Sequence, residues 1–211
     1  MSTHEEKRKN VMRSTTVEAR RAQKRERILD SAAKIFAEKG FYHAKISEIA
    51  RDAGVADGTI YLYFKNKDDI LITVFEESVG DIIRSFRESL ERIANPSEKI
   101  RAFARLHLDM VEKKPNVAAV LQLELRQSNK FIKEYAGSSV ADYLNLIREI
   151  LVEGQEHGTF RSDIHLSIAK RVLFGALDEF STMLLLAKNK KYNLSDAANQ
   201  IAEVFLNGMS K

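Results

Sequence analysis

With 211 residues, 44% of them hydrophobic, the chain is long enough for a small head and a larger body, and too apolar for global disorder. It has no Cys and five scattered His, which excludes disulfides and gives no metal-ligand spacing; no apolar run approaches the roughly 18 residues of a membrane span, and the N-terminal MSTHEEKRKN lacks a secretory signal's apolar stretch, so a cytoplasmic protein with no membrane partner is expected. The net charge of +4 is uneven: residues 1–67 hold 15 Lys and Arg against 9 Asp and Glu, while the rest hold 19 against 21.

Residues 1–18 are polar without a sustained apolar period and are expected to form a flexible basic arm, with Lys7, Arg8, Lys9 and Arg13 able to lie along a DNA duplex. From Arg20 to Lys39, Ile28, Leu29, Ala32, Ile35 and Phe36 recur at helical steps, Arg20, Arg21, Lys24, Arg25 and Arg27 crowd the outer face, and Gly40 supplies the stop. Ser47 is placed to cap a second helix that Gly54 breaks, and Asp57 a third that runs to about Phe64. Asn66 caps a fourth, expected to reach about Ile93, with Asp68 and Asp69 complementing its dipole. Further helices are expected over Ser97–Lys113, Pro115–Ser128, Lys130–His157 (one helix, or a pair broken at Gly137-Ser138-Ser139), Leu166–Lys188 and Ser195–Met209. No alternating strand pattern of useful length occurs, so the fold class is all-α, divided into an N-terminal three-helix head over residues 19–66 and a C-terminal helical body over 67–211.

The order of two short helices around Ala53-Gly54-Val55 is what a helix-turn-helix needs to lay one helix in the major groove, and the basic end of the chain coincides with it. Thr59 can reach a base edge or phosphate, and Gly58 lets backbone approach DNA. Tyr61 and Tyr63 can offer hydroxyls to phosphates, Lys65 and Lys67 add charge, and Ser47 opens the preceding helix. Ile60 and Phe64 should face inward, against Ile28, Ile35 and Ile49. The plain alternative for the tyrosines is core packing with a wet hydroxyl.

These same residues carry a resemblance. Arg27-Ile28-Leu29-Asp30, Phe36-Ala37-Glu38-Lys39-Gly40-Phe41, Ile49-Ala50, Ala53-Gly54-Val55 and Gly58-Thr59-Ile60-Tyr61-Leu62-Tyr63-Phe64 with Lys67 resemble the N-terminal domain of TetR-type repressors over residues 24–72. The resemblance implies a homodimer, a double-stranded operator with an inverted repeat, and a body that binds a small hydrophobic inducer. Asp57 departs from the basic residue often found there, and an acid at the groove repels phosphate. The run Leu121-Gln122-Leu123-Glu124-Leu125-Arg126-Gln127-Ser128-Asn129, with Phe174-Gly175 and Asp178-Glu179, is similar to a branch that represses fatty-acid degradation genes and is released from DNA by long-chain acyl-CoA. The inducer implied is therefore a long-chain acyl-CoA, with no cofactor; the alternative is a TetR-type repressor induced by a xenobiotic or other amphipathic molecule.

For such a ligand the body offers Phe103, Leu106, Val111, Val120, Leu121, Leu144, Ile147, Leu151, Leu173 and Leu177 as lining, each of which could equally be plain core. His107 is a candidate contact on the same terms. Glu124, Arg126, Gln127 and Asn129 interrupt an apolar stretch: either Glu124 and Arg126 pair and lock helices together, or Arg126 meets the phosphate or thioester end of a ligand. Ile168, Val172, Gly175, Ala176, Phe180 and Leu184, with Ala197, Ile201, Val204, Phe205 and Gly208, supply more apolar surface than one chain buries, so a symmetric four-helix dimer contact is expected. An enzyme is not expected: the chain has no HExxH, P-loop, nucleophile elbow or glycine-rich dinucleotide turn, and Asp68-Asp69 and Asp178-Glu179, being sequence neighbours, point to different helix faces.

Overall fold

No Gly or Pro occurs before Gly40, so nothing stops a helix from starting early. In a computed structural model, which describes the backbone of residues 2–124, 136–187 and 192–210 and the side chains of 17–122, 139–187 and 192–210, α1 runs Ser2–His43. The segment expected as a flexible basic arm is thus helical backbone from Ser2, because Glu, Lys, Arg, Met and Ala are good helix formers even without an apolar face. The expected stop at Gly40 is a break in α1, where φ of 75° and ψ of 153° are open to glycine at little cost.

Two compact units divide between Val74 and Phe75, eight residues beyond the expected boundary at 66/67. The reason is packing: Ile70, Leu71 and Val74, on the first turns of α4 (Lys67–Leu90), are buried in the first unit. That unit also holds α2 (Ile46–Asp52) and α3 (Asp57–Ile60). Its core is Ile28, Phe36, Ile49, Ala50, Ile60 and Phe64, all nearly inaccessible, so Ile60 and Phe64 face inward as expected.

Caps differ from expectation in detail. Lys45 rather than Ser47 precedes α2, and Glu48 accepts from the Lys45 amide at 3.1 Å. α2 ends in a Schellman turn: Val55 N donates to Ala50 O (2.9 Å) and Gly54 N to Arg51 O (3.2 Å), with Gly54 at φ 64°. Ala56 precedes α3, so Asp57 is its first residue rather than its cap, and beyond Ile60 the chain continues as turns instead of helix to Phe64. Asn66 does cap α4, accepting from Asp69 N at 2.8 Å.

The second unit is a helical bundle around α5 (Pro96–Lys113), which Asn95 caps by accepting from Ser97 N and Glu98 N. α4 ends at Leu90, short of Ile93. After α6 (Pro115–Ala119) the expected helix widens into a π-helical turn, Val120–Glu124, and its last positions, 125–128, lie outside the described residues. α7 (Ala136–Glu156) holds Gly137-Ser138-Ser139 in its first turn and buries Leu144, Ile147 and Leu151, while positions 130–135 of the expected helix lie outside the described residues. α8 (Leu166–Leu186) and α9 (Leu194–Met209) complete the bundle, and α5 packs on α7, α8 and α9. Among the described residues no strand forms beyond a single antiparallel bridge, Phe160 with Ser210, and no helix is long and apolar enough to cross a membrane.

One packing contact sets the end of α7. A Cβ added at Gly154 would fall inside the ring of fully buried Phe160. Gly154→Ala should therefore cost about 1–3 kcal/mol and lower the melting temperature by roughly 3–10 °C. A thermal melt of Gly154→Ala combined with Phe160→Leu should show less loss than the two single changes added together.

Candidate DNA-reading face and ligand cavity

In the first unit, Ser47, Asp57, Gly58, Tyr61 and Lys65 are exposed, while Thr59 and Tyr63 are half-buried. Tyr61 is 57% exposed, and adding a Cβ at Gly58 would meet nothing within 4 Å, so α3 presents a small, open surface. Tyr63 lies beneath Arg21, whose guanidinium carbon is 5.7 Å from the ring centroid, and Arg25 stands similarly over Phe64 at 5.6 Å. The basic face of α1 is thereby held against the α3 region.

Lys67 is placed differently from its companions. Its Nζ donates to the carbonyls of Phe41 (2.7 Å), Tyr42 (3.3 Å) and Ala44 (3.0 Å), and it sits 4.6 Å from the Phe41 ring centroid. The ammonium closes the corner after Gly40 instead of standing in solvent. Lys34 bonds Asp52 and Lys39 bonds Glu48, both at 2.6 Å, tying α1 to α2. The Lys34 hydrogen bond, then that from Ser31, holds the Asp52 carboxyl below the ordinary carboxylate range. Two exposed residues that sequence reasoning passed over are Tyr42 (67%) and Leu62 (72%). An exposed leucine beside two tyrosines breaks the amphipathic pattern, and that was the available signal.

In the second unit a cavity of about 90 Å³ is lined by Phe75, Val79 and Ile82 of α4, His107 and Met110 of α5, Leu121 and Gln122 of the π-helical turn, Val140 and Tyr143 of α7, and Phe174 and Asp178 of α8. The wide turn sets two consecutive residues, Leu121 and Gln122, on one wall; such turns recur at functional sites. Of the residues expected to line a ligand site, His107 and Leu121 border this cavity. Phe103, Leu144, Ile147, Leu151, Leu173 and Leu177 belong to the packed core instead, Val111 and Val120 are buried away from the cavity lining, and Leu106 lines a separate groove between α4 and α5. The Glu124 side chain, Arg126, Gln127 and Asn129 lie outside the described residues.

Tyr143 is the hub of this region. Its ring lies 5.8 Å from Phe86, 5.5 Å from Phe103, 6.0 Å from His107 and 6.1 Å from Phe174. Its hydroxyl is 2.6 Å from His107 Nδ1. Burial pushes the His107 imidazole down to about 4, so it is neutral at physiological pH, and burial together with the charge of Asp178 raises the Tyr143 phenol well above its ordinary value. His107 Nε2 is buried with no hydrogen-bond partner among the described residues. Gln122 is buried and accepts from Thr182 at 2.9 Å. Asp178 is buried while neighbouring Glu179 is exposed, so the two acids do point apart. The α4 lining was missed because its residues extend the same apolar stripe that packs the head, and Tyr143 because an isolated aromatic carries no positional signal.

A second apolar groove, of about 290 Å³, runs between α8 and α9. Expected interface residues Ile168, Val172, Ala176, Ile201, Val204, Phe205 and Gly208 line it. Ile168 (64%), Val172 (58%) and Val204 (78%) are large hydrophobics left in the open, and at Gly175 and Gly208 a Cβ would meet no atom within 4 Å. Phe180, Leu184 and Ala197 are half-buried beside the core. Among the described residues no group of His, Asp and Glu is arranged to hold a metal.

Comparison with known proteins places this architecture. The profile "Bacterial regulatory proteins, tetR family" matches residues 28–74, and "YsiA-like protein, C-terminal region" matches residues 75–208. The chain is 37% identical over 182 residues to the fatty acid metabolism regulator protein of Bacillus subtilis, covering 86% of this chain and 93% of that one. The crystal structure of the transcriptional regulator FadR from Bacillus subtilis in complex with stearoyl-CoA superposes with a TM-score of 0.81 at 37% identity, covering 87% of this chain and 98% of that one. The fatty acid degradation regulator FadR from Bacillus halodurans gives 0.80 at 37% identity, with the same coverage. Both resemblances read from the sequence, to TetR-type repressors and to the fatty-acid branch, are borne out. The chain is a regulator rather than an enzyme: it belongs to the tetR family of bacterial regulatory proteins.

Proposed function

We propose that this protein is a cytoplasmic homodimeric repressor that grips an inverted-repeat operator when unliganded and lets go when a long-chain acyl-CoA enters the body. The observation that carries the reading is the apolar cavity with a buried polar wall, in a chain 37% identical to a regulator solved with stearoyl-CoA. Ser47, Thr59, Tyr61, Tyr63 and Lys65, with the arginines of α1, form the DNA-reading face; Asp57 and Gly58 open the reading helix, and Lys67 supports it from behind.

At about 90 Å³ the cavity is well below the ~300–1,000 Å³ of ordinary small-molecule sites, so a long chain enters only if the walls part. One of those walls is α4, which carries Phe75, Val79 and Ile82 at the cavity and Ile70, Leu71 and Val74 in the head core. Displacing the first set moves the second along a continuous helix. A hundredfold loss of operator affinity needs about 2.7 kcal/mol of coupling, which a few buried CH₂ groups at ~0.8 kcal/mol each supply. The α8–α9 groove is the dimer face, with two recognition helices then facing successive major grooves.

A second reading, induction by a hydrophobic cation, draws on the Asp178 carboxyl in the cavity wall. Fluorescence anisotropy on an inverted-repeat duplex from the protein's own promoter decides between them. Palmitoyl-CoA should release the DNA, whereas release by hydrophobic cations alone would replace the acyl-CoA reading. On the same duplex, Lys65→Gln should lower the salt slope by about one. Lys67→Met should leave that slope intact and instead cost about 1–3 kcal/mol of stability through its lost carbonyl bonds. Val204→Asp, at a site 78% exposed, should leave the melting temperature nearly unchanged while giving a monomer by light scattering and abolishing operator binding.

A further inference from the structure

Resting on the acyl-CoA reading, we propose that His107 is the specificity group of the cavity: its Nε2–H donates to the carbonyl oxygen of the ligand's thioester. The first support is geometry. His107 Nδ1 and the Tyr143 hydroxyl are 2.6 Å apart, a hydrogen bond whose direction is set by the imidazole tautomer. A phenol is the stronger acid of the pair. Tyr143 therefore donates to Nδ1, and the ring proton sits on Nε2.

That nitrogen is fully buried and finds no acceptor among the described residues. His107 and Tyr143 both line the cavity, whose remaining surface is mostly aliphatic and aromatic. An unmet donor in the wall of a mostly apolar cavity costs free energy that an acceptor brought by a ligand would recover once the wall parts. The neutral state of the imidazole suits an uncharged acceptor, and the Asp178 carboxyl in the same wall would repel a free carboxylate. A thioester carbonyl meets both conditions. Tyr143 acts through His107, fixing which ring nitrogen carries the proton.

The test compares palmitoyl-CoA with S-hexadecyl-CoA, its thioether analogue without the carbonyl, by isothermal titration of the full-length protein below the micelle concentrations of both. The wild-type protein should prefer the thioester by about tenfold. In His107→Leu that preference should vanish or invert, since the carbonyl would then be buried without a donor. In Tyr143→Phe, which keeps the ring and frees the tautomer, it should shrink, with a melting curve confirming the fold of each variant. Equal wild-type affinity for the two ligands, or an equal loss of both in His107→Leu, overturns the role of His107 and leaves the acyl-CoA reading standing. Failure of the wild-type protein to bind either ligand overturns both.

Discussion

A buried imidazole nitrogen with no hydrogen-bond partner among the described residues, as at His107 Nε2, costs about 1–3 kcal/mol. His107 lies on α5, the helix that packs on α7, α8 and α9. Tyr143 from α7 reaches across to its Nδ1. The rings of Phe86, Phe103, Tyr143, His107 and Phe174 then draw α4, α5, α7 and α8 into one aromatic cluster, each favourable pair adding about 0.5–1.5 kcal/mol beyond area burial. Interiors are close-packed and voids forfeit contacts. The cavity of about 90 Å³ beside Gln122, His107, Tyr143 and Asp178 stands out against that close packing.

Charge plays a different part. Arg87 forks onto Glu149 at 2.8 and 3.2 Å, Lys99 reaches Glu153 and Arg101 reaches Glu203, both at 2.6 Å. Hydrogen bonding to Arg101 holds the Glu203 carboxyl below its usual range. Such pairs, largely screened by solvent, add little stability. What they contribute is alignment: the bundle is tied along its flanks, α4 to α7 and α5 to α7 and α9. In the head, by contrast, Lys67 gives its charge to backbone carbonyls and so secures a corner that glycine alone leaves loose.

α4 contributes to both compact units: its first turns are core to one, and its middle turns line the cavity of the other. The exposed apolar stripe on α8 and α9 adds the second requirement for a regulator of this family, a face that asks to be covered.

The all-α class, the helix-turn-helix, its inward Ile60 and Phe64, the cap at Asn66 and the apolar excess on the last two helices were all determined by the amino-acid sequence, because periodicity, capping and turn chemistry act over a few residues. The cavity was not legible in this way. Phe103, Ile147 and Leu173 look the same in sequence as Phe75, Val79 and Phe174, yet the former fill the core and the latter border empty space. Local pattern states that a side chain faces inward but not what it meets there. Only the tertiary packing decided that Lys67 turns back onto carbonyls, that Gln122 and Asp178 are buried, and that Tyr143 stands beside His107, since each pairs residues 23 or more positions apart or depends on how four helices close.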